Sequence, residues 1–208
     1  TVLSPKYEAM IGEPGGKDWD ANEAGMKQMD DNIGVVLAKL QAMGQLDNTI
    51  VVFTTDNGAE VITFPDGGVT PFKGGKLTTW EGGMRAPMVV RWPGHIKPGT
   101  IKNQMFASLD WLPTLVAAAG NPNIKDELLK GKKIGDRTYK DHLDSYDQTA
   151  MITGKGPSER LEIFYFGEST LGAVRIDDYK YRFIDQPGGW LGDKTQPDVP
   201  HLTNLRLD

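Results

Sequence analysis

An unbroken run of β-branched and apolar residues, 49–55, ends on two oxygen-bearing side chains and a glycine, Asp56, Asn57 and Gly58. A strand without polar alternation is typical of a sheet that is buried on both faces. Ligands of such sheets gather beyond the carboxyl ends of the strands. A carboxylate and an amide oxygen there suit Ca²⁺ or Mg²⁺. The alternative is an ordinary turn, because Asn-Gly is a common turn dipeptide.

The segment before this strand has the pattern of an amphipathic helix. Asp20 and Glu23 form a capping-box signature, and Gly44 suits the C-terminal end. The apolar residues between them recur at helical spacing, which predicts one buried stripe: Met26, Met29, Ile33, Val36, Leu37, Leu40 and Met43. A helix, a short loop and a buried strand predict an α/β fold. Asp30, Asp31 and Asn32 could be interpreted as a metal cluster, but a solvated helix face explains them better.

The later part of the chain changes character at about residue 161. Residues 59–84 are loop-like, and a loop of this length in a compact domain is usually functional. Further elements are predicted as a buried strand at 87–92, a helix at 110–119, and an antiparallel meander at 162–166, 171–176 and 179–184. We therefore expect a domain portion at 1–120, a connecting segment at 121–160 and a small antiparallel lobe at 161–208.

Composition excludes several function classes. The net charge of −5 gives no footprint for nucleic acid or an anionic membrane. No apolar run approaches the roughly 20 residues that span a bilayer. The chain has no cysteine, which excludes thiolate metal sites and a Cys nucleophile within these residues. It starts without Met or a signal peptide, so we expect a fragment or a processed chain.

Lys76 lies in the Gly-rich stretch 71–76, directly after Gly74-Gly75. Glycines allow a backbone to approach a ligand closely, and an ammonium group attracts an oxyanion. Residues 71–91 carry four basic residues and one acidic residue, a net charge of +3. This balance favours an anionic substrate group, and the alternative is a surface loop with solvated lysines.

Three other sets of residues are weaker candidates. Glu81 and Arg85 are predicted to shape the loop before the second strand rather than to act in catalysis. The scattered histidines are predicted to lie on the surface: His95, His142 and His201. Tyr165, Trp190 and residues 186–200 could line a substrate pocket, although aromatic residues of such a lobe more often form its core.

Taken in order, these features resemble the arylsulfatases, type I sulfatases of the alkaline-phosphatase superfamily. The resemblance extends from about residue 20 to 120 and is carried by the segments 55–60, 70–87 and 91–94. It implies an α/β fold: an alkaline-phosphatase-like sandwich portion followed by a small C-terminal antiparallel β-sheet lobe. It also implies a periplasmic or secreted location.

The resemblance implies specific roles for three residues. Asp56 and Asn57 correspond to two ligands of a single Ca²⁺, with Mg²⁺ a weaker fit, and Lys76 corresponds to the catalytic lysine that contacts the sulfate group. The nucleophile of the family is a formylglycine made from Cys or Ser in a Cys/Ser-x-Pro/Ala-x-Arg motif. The implied partners are a small sulfate ester or a sulfated glycan, with no nucleic acid and no membrane.

The chain departs from the family pattern at the nucleophile. It has no Cys, and none of its serines stands in that motif: Ser4, Ser108, Ser145, Ser158 and Ser169. The Asp pair that completes the calcium shell and the active-site histidines of the family are also absent. We therefore expect the C-terminal part of a sulfatase, inactive without its N-terminal half.

Two other functions stay open. One is a metal-dependent phosphatase or phosphodiesterase of the same superfamily. Those enzymes commonly have Asp-His where this chain has Asp56-Asn57, since imidazole suits zinc. The other is a non-catalytic pseudo-sulfatase that binds sulfated ligands.

Overall fold

The computed structural model describes residues 2–12, 19–60, 68 and 70–207. Contacts between Cα atoms group the chain into two units. The first unit comprises Thr1–Pro93 and Gln186–Lys194, and the second comprises Gly94–Asp185 and Thr195–Asp208. The functional division into a catalytic portion, a connecting segment and a lobe stays a prediction.

Two helices, α1 (Pro5–Glu8) and α2 (Ala21–Ala42), open the first unit. The predicted capping box at the start of α2 is confirmed. The Asp20 carboxylate accepts hydrogen bonds from the backbone N–H groups of Asn22 and Glu23, and the Asp20 N–H donates to Glu23 Oε2 at 2.7 Å. These bonds satisfy amide groups that the first helical turn leaves without partners.

The prediction that the apolar stripe of α2 is buried is wrong for part of its length. Met26, Val36 and Met43 are each more than half exposed. The spacing of apolar residues defines a helix face, but burial of that face requires a second layer. The main contacts of α2 are with α1 and with the 3₁₀ turn Leu46–Asn48, and both are too short to cover a helix of 22 residues.

The two predicted strands of the first unit form an antiparallel pair, β1 (Val51–Thr54) and β2 (Met88–Arg91). The expectation that they are buried on both faces is wrong for the described part of the chain. Phe53 stands opposite Val89, and these side chains are 38% and 66% exposed. A ribbon of two strands has no third neighbour, so it covers little of its own surface.

The loop between β1 and β2 is more ordered near its end than its composition predicts. Residues 61–67 and 69 lie outside the described part of the chain. Glu81–Met84 forms a one-turn helix, α3, whose first three residues are buried. Gly82 and Gly83 belong to that turn, so a pattern of two glycines marks close packing here rather than an open loop.

The second unit contains the predicted helix at 110–119, observed as α4 (Trp111–Ala118) after the 3₁₀ turn Ser108–Asp110. Helices α5 (Ile124–Lys130) and α6 (Thr149–Thr153) pack against α4. A hairpin of β3 (Lys132–Ile134) and β4 (Arg137–Tyr139) follows α5. The sequence of the segment 121–160 shows little hydrophobic periodicity, because each of these elements is too short for a repeat to appear.

The predicted meander is confirmed as an antiparallel sheet of the second unit. Its strands are adjacent in chain order: β5 (Glu162–Gly167), β6 (Thr170–Ile176), β7 (Tyr179–Arg182) and β8 (His201–Asn204). The β6–β7 turn uses Asp177 at φ 49°, in the left-handed region that Asp tolerates. Strand β8 was not predicted, since four residues are too few for an alternating pattern.

No described helix is long and apolar enough to cross a membrane.

Candidate active site

The tip of β1 presents two oxygen donors at the surface of the first unit. Asp56 is exposed, and Asn57 is half-buried. The Asn57 amide nitrogen donates a hydrogen bond to the Gly58 carbonyl oxygen at 2.8 Å. This bond identifies which end of the amide is the donor, so the amide oxygen stays available as an acceptor. Two hard oxygens fit Ca²⁺ or Mg²⁺, although a calcium shell needs six to eight.

Three glycine-containing segments meet behind this tip. The Gly58 N–H donates to the Gly83 carbonyl oxygen, and the Gly82 N–H donates to that of Lys73, both at 2.8 Å. A Cβ atom placed on Gly58 would lie 1.7 Å from the Gly82 oxygen, and one on Gly82 would lie 2.1 Å from the Gly74 oxygen. The backbones therefore approach each other as only glycine permits. This packing fixes the strand tip relative to the lysine loop and α3.

Lys76 is attached to the strand tip through its backbone. Its N–H donates to the Ala59 carbonyl oxygen at 2.9 Å. Its ammonium nitrogen lies 3.5 Å from Glu60 Oε2 and 5.1 Å from the centroid of the Trp190 ring. The structure thus brings Lys76 and the segment 56–58 into one region, as the predicted site requires.

Trp190, which the sequence offers as a candidate pocket residue, lies beside Lys76, a contact that the sequence does not predict. It lies in the 3₁₀ turn Gly189–Leu191, within the segment that joins the first unit. Sequence separation hides this contact, because no pattern relates position 190 to position 76. Tyr165, the other aromatic candidate, is buried, and the Lys180 ammonium lies 3.7 Å from its ring centroid. Tyr165 is therefore a core residue of the second unit.

The other cations of this loop lie on aromatic rings. The Lys73 ammonium is 4.2 Å from the Trp80 ring centroid, and the Arg85 guanidinium carbon is 4.4 Å from that of Phe72. Such contacts combine cation–π attraction with burial of the side-chain stem. Arg85 and the buried Glu81 also share a backbone hydrogen bond at 2.8 Å. These contacts agree with the prediction that Arg85 and Glu81 shape the loop.

The remaining metal candidates do not form a cluster. Asp31 pairs with Lys6 and Lys27 and accepts a hydrogen bond from Tyr7 at 2.7 Å. The three histidines are exposed, as predicted. In the described ranges, with the gaps at 13–18, 61–67 and 69, no three His, Cys, Asp or Glu side chains are grouped to hold a metal ion. A cation at Asp56 and Asn57 would therefore need further ligands.

Comparison with known proteins shows that this chain is similar to sulfatases. A family model described as Sulfatase matches residues 18–121. Arylsulfatase A of Homo sapiens is 33% identical over 187 residues, which are 86% of this chain and 33% of that protein. N-acetylgalactosamine-6-sulfatase of Mus musculus is 34% identical over 167 residues, 79% of this chain and 29% of that protein. The chain therefore spans about a third of the length of these relatives.

A solved structure matches almost the whole chain. The crystal structure of the PsFucS1 sulfatase from Pseudoalteromonas sp. superimposes with a TM-score of 0.78 and 30% sequence identity. The match covers 99% of this chain and 39% of that protein. Both the helix–strand portion and the small four-stranded antiparallel sheet fall within it.

Proposed function

Because the chain belongs to the sulfatase family, we propose that it is the C-terminal part of an enzyme that hydrolyses sulfate esters. Lys76 binds the sulfate group, and Asp56 and Asn57 provide two ligands of one Ca²⁺, with Mg²⁺ a weaker fit. The observation that carries the proposal is the hydrogen bond from Lys76 N–H to Ala59, which holds the lysine loop at the strand tip.

The chemistry explains why a cation belongs at this position. Cleavage of a sulfate ester builds negative charge on the leaving oxygen and on the sulfate oxygens, and a fixed ammonium group stabilises that charge. A divalent ion supplies the same kind of stabilisation. The nucleophile, a formylglycine, and the remaining calcium ligands come from the N-terminal half of the enzyme. The 208 residues alone are therefore expected to give no turnover.

The proposed substrate is a small sulfate ester or a sulfated glycan. The name of the mouse relative describes an enzyme that acts on a 6-sulfated N-acetylgalactosamine. The net charge of +3 in residues 71–91 favours an anionic ligand. Sugar sulfates combine that charge with a polar ring, so they are the first class to test.

The test compares two lysines of one loop in a protein that contains this chain together with its N-terminal half. We expect Lys76→Ala to lower kcat/KM for 4-nitrophenyl sulfate about 10²–10³-fold, the effect of losing one stabiliser of a developing oxyanion. Lys73→Ala is the matched control, because Lys73 contacts Trp80 instead of the site. A decrease of similar size in both variants would contradict the assignment.

Two further measurements separate the alternatives. Elemental analysis giving two zinc ions per chain, together with turnover of 4-nitrophenyl phosphate, would identify a phosphatase or phosphodiesterase. A protein that binds sulfated sugars but hydrolyses no ester would be a non-catalytic member of the family. One calcium per chain with sulfate-ester turnover is the expected result.

A further inference from the structure

The ammonium group of Lys76 lies between two side chains of opposite character. Glu60 Oε2 is 3.5 Å away on one side, and the Trp190 ring centroid is 5.1 Å away on the other. Lys76 and Trp190 are each about one-third exposed, at 32% and 37%. Both groups are therefore partly shielded and still accessible to a ligand.

Trp190 is held by a tied loop rather than by a flexible tail. The backbones of Asp185 and Thr195 exchange two hydrogen bonds of 2.8 Å and close the base of the loop. The buried Gln186 side chain donates to the carbonyl oxygens of Trp190 and Gly192, at 3.1 and 3.3 Å. These bonds restrict the backbone conformations of the segment that carries the indole.

We propose that Trp190 is a positioning residue for Lys76, fixing the ammonium group so that it meets the sulfate group of the substrate. This inference rests on the proposed function, in which Lys76 binds sulfate. A lysine side chain has four rotatable carbon–carbon bonds, and ordering it opposes binding. An aromatic face that attracts the ammonium reduces that cost before the substrate arrives.

The two neighbours of Lys76 differ in what they leave for a ligand. A carboxylate accepts N–H bonds that a sulfate would otherwise accept, so Glu60 competes with the substrate. An indole ring attracts the cation through its π face and takes no lone-pair-directed bond. Trp190 thus holds the Lys76 ammonium group while the N–H donors of that ammonium group stay available to the sulfate. Without Trp190, the ammonium group would be attracted mainly to the Glu60 carboxylate.

A first test is independent of turnover. In NMR spectra of the protein labelled at lysine, the Trp190 ring current should shift the Lys76 Hε protons upfield, and Trp190→Leu should remove that shift. Lys73 is the internal control, because its ring contact is with Trp80 and should not change. Inorganic sulfate should perturb the Lys76 signals with about fivefold weaker affinity in Trp190→Leu than in the parent protein.

A second test uses kinetics with two substrates, methyl sulfate and N-acetylgalactosamine 6-sulfate. We expect Trp190→Leu to lower kcat/KM about fivefold for both, and Trp190→Phe to recover most of the loss, because phenylalanine keeps a π face. Leu191→Ala, a change of the neighbouring exposed side chain, should leave both values within twofold.

The outcomes separate the inference from the function it rests on. An unchanged Lys76 signal in Trp190→Leu, or sulfate affinity equal to that of the parent, would overturn the positioning role. A kinetic loss confined to the sugar substrate would also overturn it, because it would indicate direct contact between the indole and the sugar ring. Absence of sulfate-ester turnover in the parent protein would contradict only the proposed function, since the NMR result would still stand.

Discussion

Arg160 and Asp110 form a buried ion pair through two parallel hydrogen bonds. Arg160 Nε donates to Asp110 Oδ2 at 2.8 Å, and Nη2 donates to Oδ1 at 2.6 Å. The same carboxylate accepts backbone N–H bonds from Ala107 and Tyr146, at 3.0 and 2.9 Å. Burial disfavours the charged carboxylate, but these bonds outweigh it and hold the pKa of Asp110 below its usual value. The pair joins the start of α4 to the residues that lead into β5.

Replacing Arg160 by methionine should strongly destabilise the second unit. The Asp110 carboxylate would keep its two backbone bonds but stay buried without a counter-charge, because its side chain is 0% exposed. Breaking one side of a buried ion pair typically lowers the free energy of unfolding by about 3–5 kcal/mol. Urea denaturation monitored by circular dichroism would measure the change.

An exposed ion pair with a similar nitrogen–oxygen distance provides the control. Arg206 Nε donates to Asp178 Oδ1 at 2.7 Å, with side chains that are 68% and 37% exposed. Solvent screens such a pair, so Arg206→Met should change the free energy of unfolding by about 0.5 kcal/mol or less. Equal effects of Arg160→Met and Arg206→Met would mean that the Arg160–Asp110 pair carries no special stability.

The contact between Gly58 and α3 makes a second prediction about stability. Alanine at position 58 would place a methyl group 1.7 Å from the Gly82 oxygen, so the backbone of the site must move. We expect Gly58→Ala to lower the free energy of unfolding by about 1–3 kcal/mol, the usual cost of overpacking. The Lys76 amide should also exchange faster with solvent deuterium, since its bond to Ala59 depends on the same packing.

Gly34 in α2 is the matched control for that substitution. A Cβ atom there meets nothing within 4 Å, and the residue lies inside a helix. Gly34→Ala should therefore raise the free energy of unfolding by about 0.5–1 kcal/mol, because alanine loses less backbone freedom than glycine. If both glycine variants shift stability in the same direction, the packing at Gly58 is not formed as described.

The elements that the sequence predicts well are those with a short-range sequence pattern. The capping box of Asp20 and Glu23 and the meander after residue 161 depend on short-range patterns, and both are confirmed. Burial depends on which layers meet, and this is why the exposed positions of α2 and of the β1–β2 pair were not foreseen. A periodic face indicates what an element can bury, and its neighbours decide whether it does.

The sequence also predicts only some of the residues of the candidate site. Asp56, Asn57 and Lys76 can be predicted because they follow a strand and glycines within one stretch of sequence. The contact of Lys76 with Trp190 and the pair formed by Arg160 and Asp110 join residues 114 and 50 positions apart. A single sequence contains no signal for such pairs, because spacing predicts contacts only within an element or a turn.

The proposed calcium site predicts a specific effect at Asp56. In the protein that includes the N-terminal half, Asp56→Ala should weaken Ca²⁺ binding by at least about tenfold. Outer-shell partners of a metal already cost about 10–100-fold when lost, and a charged ligand should cost no less. Isothermal titration calorimetry of the metal-free protein would measure this. Asp30→Ala, an exposed carboxylate on α2, is the control, and an equal effect would contradict a site at the strand tip.

The cluster around Asp31 predicts how stability depends on acid. A hydrogen bond from Lys27, followed by those from Tyr7 and Lys6, lowers the pKa of Asp31 from 3.8 to about 2. Because the folded-state pKa is depressed, the stabilisation is present above about pH 4 and is lost as the pH falls towards 2. Asp31→Asn should therefore reduce the drop in Tm between pH 5 and pH 2.5, as measured by differential scanning calorimetry. Lys27→Met should reduce the drop as well, whereas Lys39→Met, on the same helix, should not. An unchanged drop in Asp31→Asn would contradict the prediction.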